Sequence, residues 1–405
     1  MEEWKTVEIK EICTGIFEGP HATPKESSVG GYYLGIPAIG SDGHINFENA
    51  KRISEDDLPA WTKRVVPQED DIVFTNEATL NLYAIIPAGF HGCLGRRLGL
   101  IRPNKDLVNV RYLFYYFFSP EWRCVIEKNK VYGATVERIL MTKFPHFPVR
   151  LPGRETQDRI ASILSCIDEK ITLNTRINHN LEEQAQALYK SWFVDFEPFK
   201  DGRFVDSEIG MIPEGWKVVH FLDIAKLCGG GTPKTDIDAF WDGPIPFFTP
   251  KDVKASPFCL KTEKTITENG LKHCNSQLYD VYTTFITARG TVGKLCMAGA
   301  PMAMNQTNYA ICSKSGINAI TIYLMCKQIV ANLKNKANGA VFDAITTRDF
   351  EGESIIAAPD SIMTRFSRIV RPIFDQILHN EKQTLTLMDQ RDSVLPRLMS
   401  GGIDL

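Results

Sequence analysis

The stretch RETQDRIASILSCIDEKITLNTRINHNLEEQAQALYKSWF, residues 154–193, decides the fold. Along it apolar and small residues recur alternately at four and three positions: Ile160, Leu164, Ile167 and Ile171, then Leu181, Ala185, Leu188 and Trp192. That spacing predicts one long helix with a coiled-coil seam. About 40 residues at about 1.5 Å each make a strut of about 60 Å. Asn174 and Asn178 fall on the same stripe, in its middle. Either they fix the register of a helix pair at some cost in stability, or the seam opens to solvent there.

A second copy of this pattern runs from Asp360 to about Met399. It carries Phe366, Val370, Ile373, Phe374, Ile377, Leu378, Leu385, Met388 and Leu395 on a broader apolar stripe. It is expected to pack antiparallel against the first. Pro372 inside it either kinks the helix or marks its true start, and Pro396 suits a terminus or a kink.

The repetition extends outward from the helices. Trp4-Lys5-Thr6-Val7 is answered by Trp216-Lys217-Val218-Val219, and Gly19-Pro20-His21-Ala22-Thr23-Pro24 by Gly229-Gly230-Gly231-Thr232-Pro233. Ile36-Pro37 pairs with Ile245-Pro246, and Asp71 to Thr75 with Thr284 to Thr287. Ala78-Thr79 pairs with Gly290-Thr291, Tyr112-Leu113 with Tyr323-Leu324, and Gly133-Ala134-Thr135-Val136 with Gly339-Ala340-Val341-Phe342. Coincidence explains any two of these matches but not their order, so the chain is read as a duplication. Short strands such as Ile72-Val73-Phe74, Tyr83 to Ile86 and Gly99-Leu100-Ile101, with amphipathic helices near 110–118 and 319–336, make each globule mixed α and β. The expected fold is therefore two pseudo-repeated α+β units, at 1–151 and 208–358, separated by a long antiparallel two-helix coiled coil. The helical segments are placed at 152–194 and 359–405. Asp195 to Gly202, a mixture of Pro, Gly and charge, begins a linker at 195–207.

Composition bounds the function. With 405 residues, 43% of them hydrophobic and 23% charged, the chain has room for two or three ordinary domains. No apolar run approaches the length of a membrane span, and Met1-Glu2-Glu3-Trp4 is acidic where a signal peptide would be basic, so a cytoplasmic location is expected. The ten cysteines are scattered without a C-x-x-C pair or a zinc-like Cys/His cluster, which fits free thiols and no metal. A net charge of −3 announces no general affinity for a polyanion. DNA binding would have to rest on local basic surfaces.

No catalytic constellation emerges. The run Gly229 to Lys234 lacks the spacing of a phosphate-binding P-loop and reads as a turn. Asp242 with Asp252-Val253-Lys254 fits a nuclease pattern only when forced. What remains is recognition chemistry. Thr287-Ala288-Arg289-Gly290-Thr291-Val292-Gly293-Lys294 sets an Arg and a Lys on a glycine-rich loop, where backbone can approach a phosphate. Asn305, Gln306, Thr307 and Asn308 add amides and hydroxyls, and Asn or Gln can pair two-pronged with adenine as Arg does with guanine. The corresponding stretch of the first half is Gly95-Arg96-Arg97-Leu98-Gly99. The candidate DNA-binding residues are Thr23, Lys25, Arg96 and Arg97 in the first half. In the second they are Thr232, Lys234, Lys251, Arg289, Thr291, Lys294, Asn305, Gln306 and Thr307.

The chain resembles the specificity subunit of type I restriction and modification systems over nearly its full length. The resemblance rests on Leu151-Pro152 leading to Gln157-Asp158-Arg159-Ile160-Ala161-Ser162-Ile163-Leu164, and on Ile167-Asp168-Glu169-Lys170-Ile171. It rests also on Phe193-Val194-Asp195-Phe196 with Ile212-Pro213-Glu214-Gly215-Trp216, and on Arg391-Asp392-Ser393-Val394-Leu395-Pro396-Arg397-Leu398-Met399-Ser400-Gly401. It implies two target-recognition domains, each reading one half of a split double-stranded DNA site. The helices, in the family, dock two methyltransferase subunits, which bind S-adenosylmethionine, and restriction subunits that translocate and cleave then join. The chain itself would be non-catalytic and without cofactor. The alternative from another class is the recognition region of a stand-alone restriction nuclease. The first half departs from the family's usual Arg-Gly-Thr, with Glu77-Ala78-Thr79 there instead, so Arg289 has no obvious twin and Arg96 or Arg97 is expected to do its work.

Overall fold

The sheets begin from short apolar strands whose alternate side chains serve two cores. In the strand Ile72–Thr75, Ile72 and Phe74 point to a cluster with Tyr83, Tyr112 and Trp122, while Val73 points to one with Leu34, Leu94 and Leu100. That is the period-two geometry of a strand buried on both faces. The structure, a computed structural model, describes residues 4–131, 136–290, 292–314, 316–336 and 344–403. The chain divides into two compact units. One comprises the residues up to Glu169 with those from Leu387, and the other runs from Lys170 to Thr386.

In the first unit, strand Lys5–Glu8 pairs antiparallel with Pro148–Leu151, just ahead of the first long helix. An antiparallel sheet follows the order Cys13–Glu18, Leu98–Pro103, Ile72–Thr75, Tyr83–Ile85. A smaller one orders Lys51–Ile53, Gly31–Leu34 and Gly92–Leu94, its last pair parallel. The second unit repeats this plan. Lys217–His220 pairs with Ser354–Ala357. The larger sheet runs Ala225–Gly229, Asn308–Ser313, Thr284–Thr287, Leu295–Ala298, with Phe258–Cys259 added at its edge. The smaller orders Lys264–Ile266, Trp241–Phe248 and Ala303–Met304, again ending in a parallel pair.

One proposed match is corrected. Ile36-Pro37 lies in a 3-10 turn, Ile36–Ala38, whereas Ile245-Pro246 lies inside a strand. The counterpart of that turn is Pro250–Asp252, because each follows the strand whose last residue, Leu34 or Phe248, accepts from an equivalent amide, that of Gly95 or Asn305. The match of 133–136 with 339–342 falls, apart from Val136, outside the described residues, as does Thr291.

The helices Arg154–Phe193 and Asp360–Met399 each span 40 residues. Pro372 lies well inside the second, so it does not mark the start. Gln157 and Asp158 anchor the first helix: Asn109, which caps helix Val110–Tyr116, donates its amide N–H to Gln157 Oε1 at 2.9 Å and its side-chain Nδ2 to Asp158 Oδ1 at 2.7 Å. In the first unit Ile160 and Leu164, fully buried, share a core with Leu395, Leu398 and Met399. Asp168 there accepts from Tyr115 Oη at 2.7 Å and from Arg391 at 2.9 Å. In the second unit the helices run antiparallel, with Asn174 beside Gln383 and Trp192 beside Phe366.

The seam does not open at its polar centre. Asn174 and Asn178 are 0% and 5% exposed. Asn174 Nδ2 donates to Gln383 Oε1 at 2.9 Å and Asn178 Nδ2 to Glu381 Oε1 at 2.9 Å. Of the other seam residues, Ile171, Phe374 and Leu378 are buried. Ile167, Leu181, Leu188, Leu385 and Met388 are half-buried.

Candidate nucleic-acid interface

In the second unit, the hairpin from Thr284–Thr287 to Leu295–Ala298 carries the loop that holds Arg289. Its turn is closed by the Gly293 amide donating to Thr287 O at 2.9 Å and the Lys294 amide donating to Thr287 Oγ1 at 3.0 Å. Gly290 and Gly293 take φ of 83° and 76°, a region that favours glycine. The Ala288 amide donates to Thr307 O at 3.0 Å, which fixes Arg289 beside the segment Asn305 to Thr307.

A groove of about 430 Å³ is lined by Thr249, Lys251, Lys264, Arg289, Asn305 and Thr307, among others. Three cations thus meet three polar side chains, with Glu263, 3.9 Å from Lys251, as the one acid in the lining. Arg289 is exposed and has no acidic partner among the described residues. Asn305 Oδ1 is fully used inside the loop, accepting from the Thr307 amide and hydroxyl and from Asn308 Nδ2 at 2.6 Å. Its Nδ2 makes no hydrogen bond among the described residues. The site therefore offers hydrogen-bond donors, which suits phosphate oxygens and the O6 and N7 atoms of guanine.

The glycine run beside this groove is a packing device. A Cβ on Gly230 would lie 2.2 Å from Asn305 O, and one on Gly231 would lie 2.5 Å from the Asn275 amide. Only glycine lets this segment approach so closely, and Thr232 then donates its hydroxyl to Gln306 Oε1. Asp252, the residue a nuclease reading would need, is 7% exposed and spent as a cap. Its carboxylate accepts from the Thr249 amide and hydroxyl and from the Glu263 amide at 2.8 Å. Among the described residues no group of three His, Cys, Asp or Glu side chains could hold a metal ion.

Of the residues singled out in this half, the groove gathers Lys251, Arg289, Asn305 and Thr307, with Gln306 and Thr232 joined at its flank. Lys234 and Lys294 are exposed and do not line it. Lys264 was not singled out: it enters because its strand pairs with Trp241–Phe248, a contact across the sheet that local sequence does not signal.

The first unit builds the same place differently. Arg96 is exposed, and Arg97 has its Nε 3.6 Å from Glu77 Oε1. Asn76, buried, donates Nδ2 to Glu18 Oε1 at 3.2 Å. Thr23 and Lys25 are exposed on the loop after Cys13–Glu18, and no described contact joins them to either arginine. A separate cavity of about 340 Å³ is lined by Asp42, Phe114, Tyr115, Asp168 and Arg391. Asp168 and Arg391 there already satisfy each other, so it reads as helix anchoring.

Sequence reading also missed Glu182. It is 8% exposed on the first long helix and accepts from Tyr323 Oη at 2.8 Å and from Lys327. Burial pushes the Tyr323 phenol far above its usual range, which keeps it a neutral donor to Glu182. A carboxylate beside an apolar stripe gives no local sign of its partners.

The family model for the type I restriction modification DNA specificity domain matches residues 1–183 and again 213–387. A type I restriction enzyme specificity subunit, MjaIX, of Methanocaldococcus jannaschii is 29% identical, over 99% of this chain and 93% of its own. The HindI specificity subunit of Haemophilus influenzae is 24% identical, over 89% and 91%. Among solved structures, the S subunit of a type I restriction-modification system from M. genitalium is similar in fold, with a TM-score of 0.58 at 12% identity and coverage of 98% and 96%. Among the described residues no helix is long and apolar enough to cross a membrane.

Proposed function

The chain belongs to the type I restriction modification DNA specificity domain family, and from that premise we propose that it is the subunit that chooses the DNA sequence for a type I restriction-modification complex. Each unit reads one half of a two-part site. Phosphate contacts from lysines position each unit, and a few side chains on the paired loops read base edges in the major groove. The observation that carries this is the groove in which Lys251, Lys264, Arg289, Asn305 and Thr307 converge.

In this reading the target-recognition domains are 1–151 and 208–358, joined through helical segments 152–194 and 359–405 and the linker 195–207. The helices dock two methyltransferase subunits, whose S-adenosylmethionine supplies the methyl group, and restriction subunits join them in the cytoplasm. The chain contributes no catalytic residue and no cofactor of its own. With Asp252 held as a cap, nothing favours the stand-alone nuclease.

The test is sequence selection from a randomised duplex library by the chain assembled with its methyltransferase subunit. A two-part consensus is expected. Selection of no sequence, or metal-dependent cleavage by the isolated chain, would overturn the reading.

A further inference from the structure

The backbone hydrogen bonds of the two units can be laid over one another residue by residue. The Asn76 amide donates to Arg97 O at 3.1 Å, as the Ala288 amide donates to Thr307 O at 3.0 Å. Ile139 donates to Asn76 O at 2.8 Å, as Ile345 donates to Ala288 O at 2.9 Å. Glu77 then forms a bridge with Arg138, and Arg289 one with Ala344. The next residue is left-handed in both, with φ of 70° at Ala78 and 83° at Gly290. Ala78 holds this shape although a Cβ disfavours it by about 1–2 kcal/mol. Glu77 therefore occupies the backbone place of Arg289, Arg97 that of Thr307, and Gly95 that of Asn305.

At one place in a shared frame, the second unit carries a donor and the first an acceptor. A strong charge-assisted pair is short and hydrogen-bonded. The Glu77 to Arg97 approach, at 3.6 Å, is too long for a hydrogen bond. Arg97 Nε has no hydrogen-bond partner among the described residues, and the two side chains remain 35% and 33% exposed. In the preceding residue, Asn76 Oδ1 is buried and likewise without a hydrogen-bond partner among the described residues. The pair is loose, partly open, and mounted where the other unit presents its arginine.

We propose that Glu77 is a specificity-determining residue of the first unit, its carboxylate accepting from the exocyclic amino group of a base, cytosine N4 or adenine N6, with Arg97 donating beside it. The second unit, through Arg289, selects guanine at the matching place. This rests on the reading of the chain as a DNA specificity subunit.

The test is the same library selection with the full chain and its methyltransferase partner, carried out for wild type, E77Q, E77A and R289A. E77A is expected to lose preference at a base pair of one half-site by about tenfold, and E77Q to lose it or move it towards adenine, each leaving the other half-site unchanged, and R289A to do the reverse. The base lost distinguishes cytosine from adenine. If R289A alters one half-site while both Glu77 variants keep the wild-type consensus, the inference fails and the functional reading stands. Weakening of all sequences equally by E77A, with E77Q unchanged, would also overturn it by making the pair structural. If wild type selects nothing, the functional reading itself fails.

Discussion

Asn380 Nδ2 donates a 2.8 Å hydrogen bond to Asn178 Oδ1 between the two long helices, with both residues only 5% exposed. Asn380→Ala would leave a buried acceptor unpaired, at a cost of about 1–3 kcal/mol. Replacing Asn178 and Asn380 by leucine, singly and together, separates the contributions: the double variant removes both ends of this bond and is expected to recover part of the single losses, though Glu381 loses its donor Asn178, while register loosens. Denaturant unfolding of the two single variants and the double variant checks this. Additive losses would show that the pair is not coupled.

Arg289→Ala removes the guanidinium donor of the groove. Discrimination at one base pair should fall by about 1–3 kcal/mol, with affinity for other sequences nearly unchanged, as read by competition binding against single-base variants of the site.

Lys251→Ala and Lys264→Ala should behave otherwise. A lysine on phosphate weakens all sequences alike, and the slope of log affinity against log salt should shrink by about 1 for each. A salt titration separates this from base reading.

Gly230→Ala places a Cβ 2.2 Å from Asn305 O, so the loop must shift. A stability loss of about 1–3 kcal/mol is expected, along with lost recognition of one half-site. Thermal unfolding and selection together check it.

The thiols should separate by burial. Burial pushes Cys93 and Cys259 up to about 12, so neither forms thiolate at pH 8. Iodoacetamide on the native protein should label the exposed Cys124 and Cys166 and spare Cys93, Cys259 and Cys326, as read by peptide mass spectrometry.

The long helices were legible in the sequence because a seam spacing repeated over 40 residues has few other readings, and helix 319–336 because its apolar stripe is unbroken. The loop residues of the groove were legible where they lie in short runs, as at Arg289-Gly290 and Asn305 to Thr307, although Lys294 of the same loop does not line it. Lys264 and Glu182 were not, because sheet pairing brings one to the groove and a distant helix supplies partners for the other. Proline matching failed at Ile36-Pro37, since Pro opens turns and also sits in strands near bulges, and only the hydrogen bonds to Leu34 and Phe248 identify the true counterpart. The equivalence of Glu77 with Arg289 was visible as a mismatch of letters, but the looseness of its pairing with Arg97 needed the geometry.

Whether this chain selects the DNA sequence modified by its complex is read by base-resolution mapping of methylated bases in the host with and without the gene. A two-part motif, modified only when the gene is present, is expected. Methylation unchanged by deletion of the gene would show that the choice of sequence lies elsewhere.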